Sequence, residues 1–112
     1  MSSTQSTAGD LTGVDSQAGV VEYQAGAVVS RTLVKAAGGT LTAFAFDAGS
    51  ELSEHTAPFD AVVLVVEGEA EIAISRIWHR VKAGELLKLP AGQPHAVKAV
   101  TRFKMLLVMI KA

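Results

Sequence analysis

The sequence predicts an all-β fold, a sandwich or barrel, and three observations support this prediction. From residue 20 onward the chain divides into short apolar or β-branched segments separated by turn residues. No segment shows a long helical period with capping residues. The length of 112 residues fits one domain with a modest core. Many short strands within one small domain indicate a sandwich or barrel.

The beginning of the chain differs in composition from the rest. Residues 1–18 are rich in Ser, Thr, Gln, Ala and Gly. Such a segment cannot bury enough apolar surface to offset the entropy that it loses on ordering. We therefore predict a flexible N-terminal tail over residues 1–18 and a β-barrel domain over residues 19–112.

The strands are predicted from residue type and alternation. Residues 20–23 and 27–34 are rich in β-branched side chains. In residues 40–46 a threonine and two phenylalanines share one face, and small apolar residues share the other. Residues 103–110 are apolar on both faces, so one face should line the barrel and the other should pack on a neighbouring sheet or subunit. The remaining strands are predicted at residues 61–66, 70–75, 77–81, 85–89 and 95–100.

Two histidines each follow a turn that contains glycine. Gly49 precedes His55 by six residues, and residues 84–95 lead from a glycine through a strand and a Pro/Gly turn to His95. Such a turn can hold an imidazole at a defined depth inside the mouth of a barrel. Two imidazoles on separate strands, each following its own turn, indicate one shared pocket.

These segments resemble the two signature motifs of the cupin superfamily. The segment between the motifs, residues 69–83, has the compact length of small microbial cupins, and the resemblance covers residues 40–110. It implies a single small cupin (jelly-roll-like) β-barrel of two antiparallel sheets, of the bacterial cupin-2 type. The first motif is matched by Gly49, His55 and Gly68, and the second by Gly84, Pro90, Gly92 and His95.

The resemblance also implies a degenerate metal site. Metal-binding cupins carry two histidines and a carboxylate or third histidine in the first motif, but here the second and third ligand positions are Ala57 and Ala61. Asp60 is one residue away from the third position, and strand alternation turns it to the opposite face. His55 and His95 remain as candidate metal ligands, whereas catalytic sites usually have three protein ligands. We expect no certain cofactor, and at most a weakly held divalent metal (Fe, Mn, Ni or Zn).

The other titratable residues near the motifs are expected to have different roles. His79 shares a strand face with Val81 and occupies no ligand position of the family pattern, so we expect a structural or surface role. Glu51, Glu54 and Asp60 flank the first motif, and we expect them to be solvated rather than within hydrogen-bond reach of a substrate.

The missing ligand side chains leave room for a small molecule. An apolar cavity with two convergent imidazoles is typical of a small-molecule site. The predicted pocket combines the two histidines with aromatic and small apolar side chains: Phe44, Phe46, His55, Ala57, Phe59, Ala61, His95 and Met105.

Composition limits the partners and the location. Hydrophobic residues make up 49% of the chain, which favours a homodimer, and Ile77 and Trp78 are expected to form an exposed apolar contact for a ligand or second subunit. A net charge of −1 gives no electrostatic reason to expect nucleic acid or an anionic membrane as partner. The absence of cysteine excludes disulfides and thiolate chemistry. The N-terminus does not resemble a signal peptide, so we expect a cytoplasmic protein.

Three functions remain open, and the residues do not decide whether the protein is an enzyme. The first is binding of a small, mainly apolar molecule whose polar group is oriented by His55 and His95. The second is a metal-dependent dioxygenase or isomerase that uses these histidines as ligands. The third is a structural or interaction protein with a vestigial pocket. A ligand that stabilises the native state would indicate the first, and stoichiometric metal would indicate the second.

Overall fold

The computed structural model describes residues 4–8 and 13–111, and within these residues it contains ten β-strands and no helix. The strands, in chain order, are β1 (Thr4–Ala8), β2 (Val28–Ala36), β3 (Gly39–Phe46), β4 (Glu51–His55), β5 (Asp60–Glu67), β6 (Glu69–Ile74), β7 (Ile77–Lys82), β8 (Leu86–Leu89), β9 (His95–Ala99) and β10 (Phe103–Ile110).

The strands form two sheets. The larger sheet has six strands in the order β1-β2-β3-β10-β5-β8, and the smaller has four in the order β4-β9-β6-β7. The pairing of β1 with β2 is parallel, and the other strand pairs are antiparallel. The prediction of an all-β fold with two antiparallel sheets is therefore confirmed.

Two N-terminal segments differ from the sequence-based expectation. Residues 4–8, inside the predicted tail, extend along the edge of β2, because the backbone groups of an edge strand can pair with a polar segment as well as with an apolar one. Residues 20–23 form a turn and irregular chain rather than a strand. Residues 1–3 and 9–12 of the predicted tail lie outside the described residues, and the domain boundary after residue 18 stays a prediction.

Strand alternation produces two apolar clusters. The inner cluster fills the space between the sheets and includes Phe46 and Phe103, whose rings stack with their centroids 4.4 Å apart. The outer cluster lies on the far face of the six-stranded sheet, where Val20 and Val21 pack with Leu33. Full burial of an aliphatic side chain is worth about 1.5–3 kcal/mol, so this contact fastens the segment before β2 to the sheet.

Polar contacts fasten the same segment at one end of the barrel. The Tyr23 hydroxyl donates a hydrogen bond to Glu67, and the cationic groups of Arg102 and Lys104 lie 4.9 and 4.8 Å from the centre of the Tyr23 ring. Burial, together with the hydrogen bond to Glu67, raises the pKa of Tyr23 well above its usual value. Arg102 also donates to Asp47 over 2.9 Å, which lowers the pKa of that carboxyl. These residues cap the end of the barrel where β3 ends and β10 begins.

Candidate functional site

The inner side of the barrel is packed at this capped end and opens toward the other. Along β10 the inward residues change from Phe103 and Met105, which are 0% and 3% exposed, to the half-buried Leu107 and Met109. The same change occurs along β3, from the fully buried Phe46 to the half-buried Phe44. The inward faces are therefore less tightly buried at the end of the barrel where β4 ends and β5 and β9 begin.

A β-bulge in β4 turns His55 toward this opening. Leu52 pairs with Val97 and His55 pairs with His95, so two residues of β4 lie opposite a single residue of β9. In a regular strand, residues three positions apart point to opposite faces. The extra residue brings Leu52 and His55 onto the same inward face, and re-aiming a side chain in this way is a known effect of bulges near functional sites.

His55 and His95 form an edge-to-face pair. Their ring centroids are 4.2 Å apart and their planes are inclined by 68°. Nδ1 of His55 lies 2.8 Å from the carbonyl oxygen of Ser53. Because a carbonyl oxygen only accepts, this contact places a proton on Nδ1, and in the neutral ring it leaves Nε2 as a hydrogen-bond acceptor or metal ligand.

His95 carries an unsatisfied buried nitrogen. Its Nδ1 is buried and has no hydrogen-bond partner among the described residues. Burial lowers the pKa of His95 below the usual value, the neighbouring His55 lowers it further, and the backbone of Gln93 opposes this shift. The neutral form of His95 is therefore favoured at neutral pH.

The turn of the second motif is tied to the loop after β4. The backbone N–H of Gly92 donates to the carbonyl of Ala57 over 2.8 Å, and Gly92 has a φ of 77°, a conformation that favours glycine. Pro94 accepts a hydrogen bond from the Ser75 N–H over 2.8 Å. Asp60 accepts one from the Ala91 N–H over 2.8 Å. These bonds fix the turn that precedes His95.

The predicted pocket residues divide between the opening and the core. Ala61 is 5% exposed and lies on the inward face at the histidine end, paired with Met109. Phe46 is fully buried at the capped end and stacks on Phe103, so the structure places it in the core, away from the histidines. Phe44, Ala57 and Phe59 are half-buried, and Met105, which pairs with Phe44, is buried.

The flanking acids and the third histidine lie away from the pair. Asp60 is on the outer face of β5, where Lys88 Nζ approaches its carboxylate to 3.8 Å. Glu54 is in an ion pair of 3.6 Å with Arg76. His79 belongs to β7, two strands away from β9. Two strand spacings of about 4.8 Å each therefore separate the strand of His79 from that of His95.

The donor set does not fit a tightly held catalytic metal. No group of three or more His, Cys, Asp or Glu side chains with a metal-binding arrangement occurs in the described part of the chain. His55 and His95 offer two imidazoles, and the positions of the missing ligands carry the methyl groups of Ala57 and Ala61. A catalytic metal usually has three protein ligands and one open position, so two ligands would bind it weakly.

Three threonines at the open end were not identified as site residues from the sequence. Thr42 pairs with Thr32 on one side and Leu107 on the other, and Thr40 pairs with Met109. All three therefore share the inward face of the six-stranded sheet, and all three are half-buried. The available signal was the alternation of Thr40, Thr42 and Phe44 on one face of β3, but threonine is so common in strands that it did not stand out.

Residues 43–111 match the family described as "Cupin domain". With the two sheets and the histidine motifs, this match establishes that the chain belongs to the cupin family, and the family resemblance predicted from the motifs is confirmed. No curated protein matches the chain.

Solved structures of bacterial cupins are similar over most of the chain. A conserved protein of unknown function from Streptococcus pyogenes is 38% identical, with a TM-score of 0.85, covering 92% of this chain and 90% of that one. A cupin 2 conserved barrel domain protein from Leptotrichia buccalis is 43% identical, with a TM-score of 0.81, covering 84% of this chain and 46% of that one. A cupin superfamily protein from Desulfitobacterium hafniense is 27% identical, with a TM-score of 0.79, covering 82% and 84%.

Within the described residues, no helix has the length and apolar character needed to cross a membrane.

Proposed function

We propose that this cupin domain binds a small, mainly apolar molecule without a tightly held catalytic metal, and that His55 and His95 orient the polar group of that molecule. The observation that carries the proposal is the geometry of the histidine pair: the hydrogen bond between Nδ1 of His55 and the Ser53 carbonyl leaves Nε2 of His55 as an acceptor, next to the ring of His95.

The surroundings of the histidine pair support this proposal. The pair lies at the less buried end of the barrel, and the half-buried, apolar Leu107 and Met109 lie on the inward face of the other sheet. Small-molecule sites are mainly apolar clefts with a few convergent polar groups. Two imidazoles whose rings are 4.2 Å apart are such a group. The metal-dependent enzyme is the less favoured alternative, because only two ligands are present.

A thermal-shift screen with matched histidine variants tests the proposal. Small apolar molecules that carry one polar group should include some that raise the melting temperature of the wild type, because binding to the native state stabilises it. The same molecules should lose their effect on His95→Ala and keep it on His79→Ala, which removes an exposed histidine of the same sheet. Equal shifts in all three proteins would place binding elsewhere and contradict the proposal.

Metal content separates the alternatives. Plasma mass spectrometry of tag-free protein purified without chelator should find far less than one metal per chain. Nearly one Fe, Mn, Ni or Zn per chain, lost in His95→Ala, would support the metal-dependent enzyme instead. No metal, no stabilising molecule and tolerance of Ala at both histidines would support the structural role.

A further inference from the structure

The tip of the hairpin between β6 and β7 has an uncommon backbone conformation. Ser75 and Arg76 connect the two strands, and both are in the left-handed region, with φ values of 50° and 68°. In the described part of the chain, the other residues with positive φ are glycines. Two-residue turns of this kind favour asparagine or aspartate followed by glycine, because a larger side chain in the left-handed region costs energy. Residues that are kept in such a conformation are common at functional sites, which indicates that these two side chains have a role.

Ser75 is bonded to the turn that leads into His95. Its backbone N–H donates to the carbonyl of Pro94 over 2.8 Å, and its hydroxyl donates to Oε1 of Gln93 over 3.2 Å. Gln93 and Pro94 directly precede His95, the first residue of β9. Ser75 therefore restrains the start of β9, and with it the position from which the His95 ring extends.

Arg76 contacts the strand that carries the other histidine. Its Nε lies 3.6 Å from Oε1 of Glu54, the residue before His55. In the four-stranded sheet β9 lies between β4 and β6, so this ion pair crosses β9 and joins the hairpin tip to the end of β4. β4 is an edge strand whose pairing with β9 is irregular between Leu52 and His55. A contact from outside the strand pairing therefore restrains the segment that carries His55.

We infer that the two residues of the hairpin tip are positioning residues for the histidine pair. Ser75 acts on His95 through the turn before β9. Arg76 acts on His55 through Glu54. The edge-to-face arrangement of the rings, with centroids 4.2 Å apart, is thus held from both strands. This inference deepens the proposed function and rests on it for the use of the pair, because two imidazoles orient a ligand group only when their separation and inclination are fixed.

Charge removal at the hairpin tip is the first test. An exposed ion pair changes an equilibrium by about fivefold or less, and the Arg76 side chain is 84% exposed. We therefore expect Arg76→Gln to speed amide hydrogen exchange in β4 by about two- to fivefold and to shift the imidazole NMR signals of His55 and His95. Arg76→Lys restores the cation and should return both readouts toward the wild type. Ser75→Ala removes the hydroxyl bond and should shift the signals of His95 more than those of His55.

Glycine at the hairpin tip separates positioning from stability. Arg76→Gly removes the guanidinium group and suits a φ of 68°. This variant should melt at or above the temperature of the wild type, while its histidine signals shift as in Arg76→Gln. A residue with only a structural role would not combine these two results. The control is Arg80→Gln, which breaks the 3.1 Å ion pair between Arg80 and Glu69 on the same sheet and should leave the histidine signals and the exchange in β4 unchanged.

These readouts need no ligand, so failure of the inference is distinct from failure of the proposed function. Unchanged histidine signals in Arg76→Gln and Ser75→Ala, or equal changes in Arg80→Gln, would overturn the inference and leave the proposed ligand site in place. If the signals shift as expected and the thermal-shift screen finds no stabilising molecule, the proposed function fails and the positioning role remains.

Discussion

Replacing His95 by leucine should stabilise the protein at neutral pH while removing ligand binding. The reason is the buried Nδ1 atom of His95, which has no partner among the described residues. A buried polar atom without a hydrogen bond costs about 1–3 kcal/mol. His95 as a whole is only half-buried, so we expect the lower end of this range, about 1 kcal/mol, in favour of His95→Leu.

The difference between the two proteins should grow as the pH falls. Burial and the nearby His55 lower the pKa of His95 in the folded state, whereas in the unfolded chain it stays near the ordinary value of about 6.5. Below that value the unfolded state binds a proton more readily than the folded state. The protonation of His95 therefore leaves the free energy of unfolding of the wild type unchanged above about pH 6.5 and lowers it as the pH falls through the folded pKa. His95→Leu lacks this loss.

Urea unfolding at pH 7.5 and pH 5.5 measures both effects, and the fluorescence of Trp78, the single tryptophan, reports on the four-stranded sheet. The control is His79→Leu, which replaces an exposed histidine and should change the free energy of unfolding by less than about 0.5 kcal/mol. A less stable His95→Leu at pH 7.5, or the same pH dependence as the wild type, would show that the Nδ1 atom is not an uncompensated cost.

Three further predictions concern the backbone, the surface and the lost ligands. Gly68→Ala should lower the free energy of unfolding in urea by about 3 kcal/mol or more. The reason is that Gly68 has a φ of 76° and that a Cβ there would lie 2.0 Å from a backbone carbonyl oxygen. Stability close to that of the wild type would contradict this prediction. The protein should sediment as a dimer, and the exposed apolar side chains of Trp78 and Leu86, 42% and 66% exposed, are the candidate contacts. Trp78→Lys or Leu86→Lys should weaken the dimer, and a wild-type monomer at micromolar concentration would refute this prediction. The double variant Ala57→His, Ala61→Glu should bind about one divalent metal per chain, measured by plasma mass spectrometry. The two new side chains and the two native histidines would make four ligands, which is enough for a metal site. If no metal is gained, the two positions do not point to a common site with the histidines.

The fold and the central histidine pair could be predicted because each depends on a local pattern. The strands follow from alternation and turn residues, and His55 and His95 follow from their motifs. Which residues lie next to each other on neighbouring strands depends on the strand register, and local sequence patterns do not determine the register. Phe46 was therefore predicted to line the pocket, although its pairing with Phe103 places it in the core. The strand over residues 4–8 was missed because edge pairing requires no apolar pattern.

The methyl groups of Ala57 and Ala61 bear on whether this barrel holds a metal ion. A cupin pocket that holds a metal needs carboxylate or imidazole ligands, and the metal then compensates their burial. Here the third ligand position is Ala61, which is 5% exposed, and no inward carboxylate replaces it on β2–β10. The polar groups that remain at this end are the two imidazoles and the hydroxyls of Thr40 and Thr42. They can exchange hydrogen bonds with the polar group of a ligand, but they do not make up the three protein ligands of a catalytic metal.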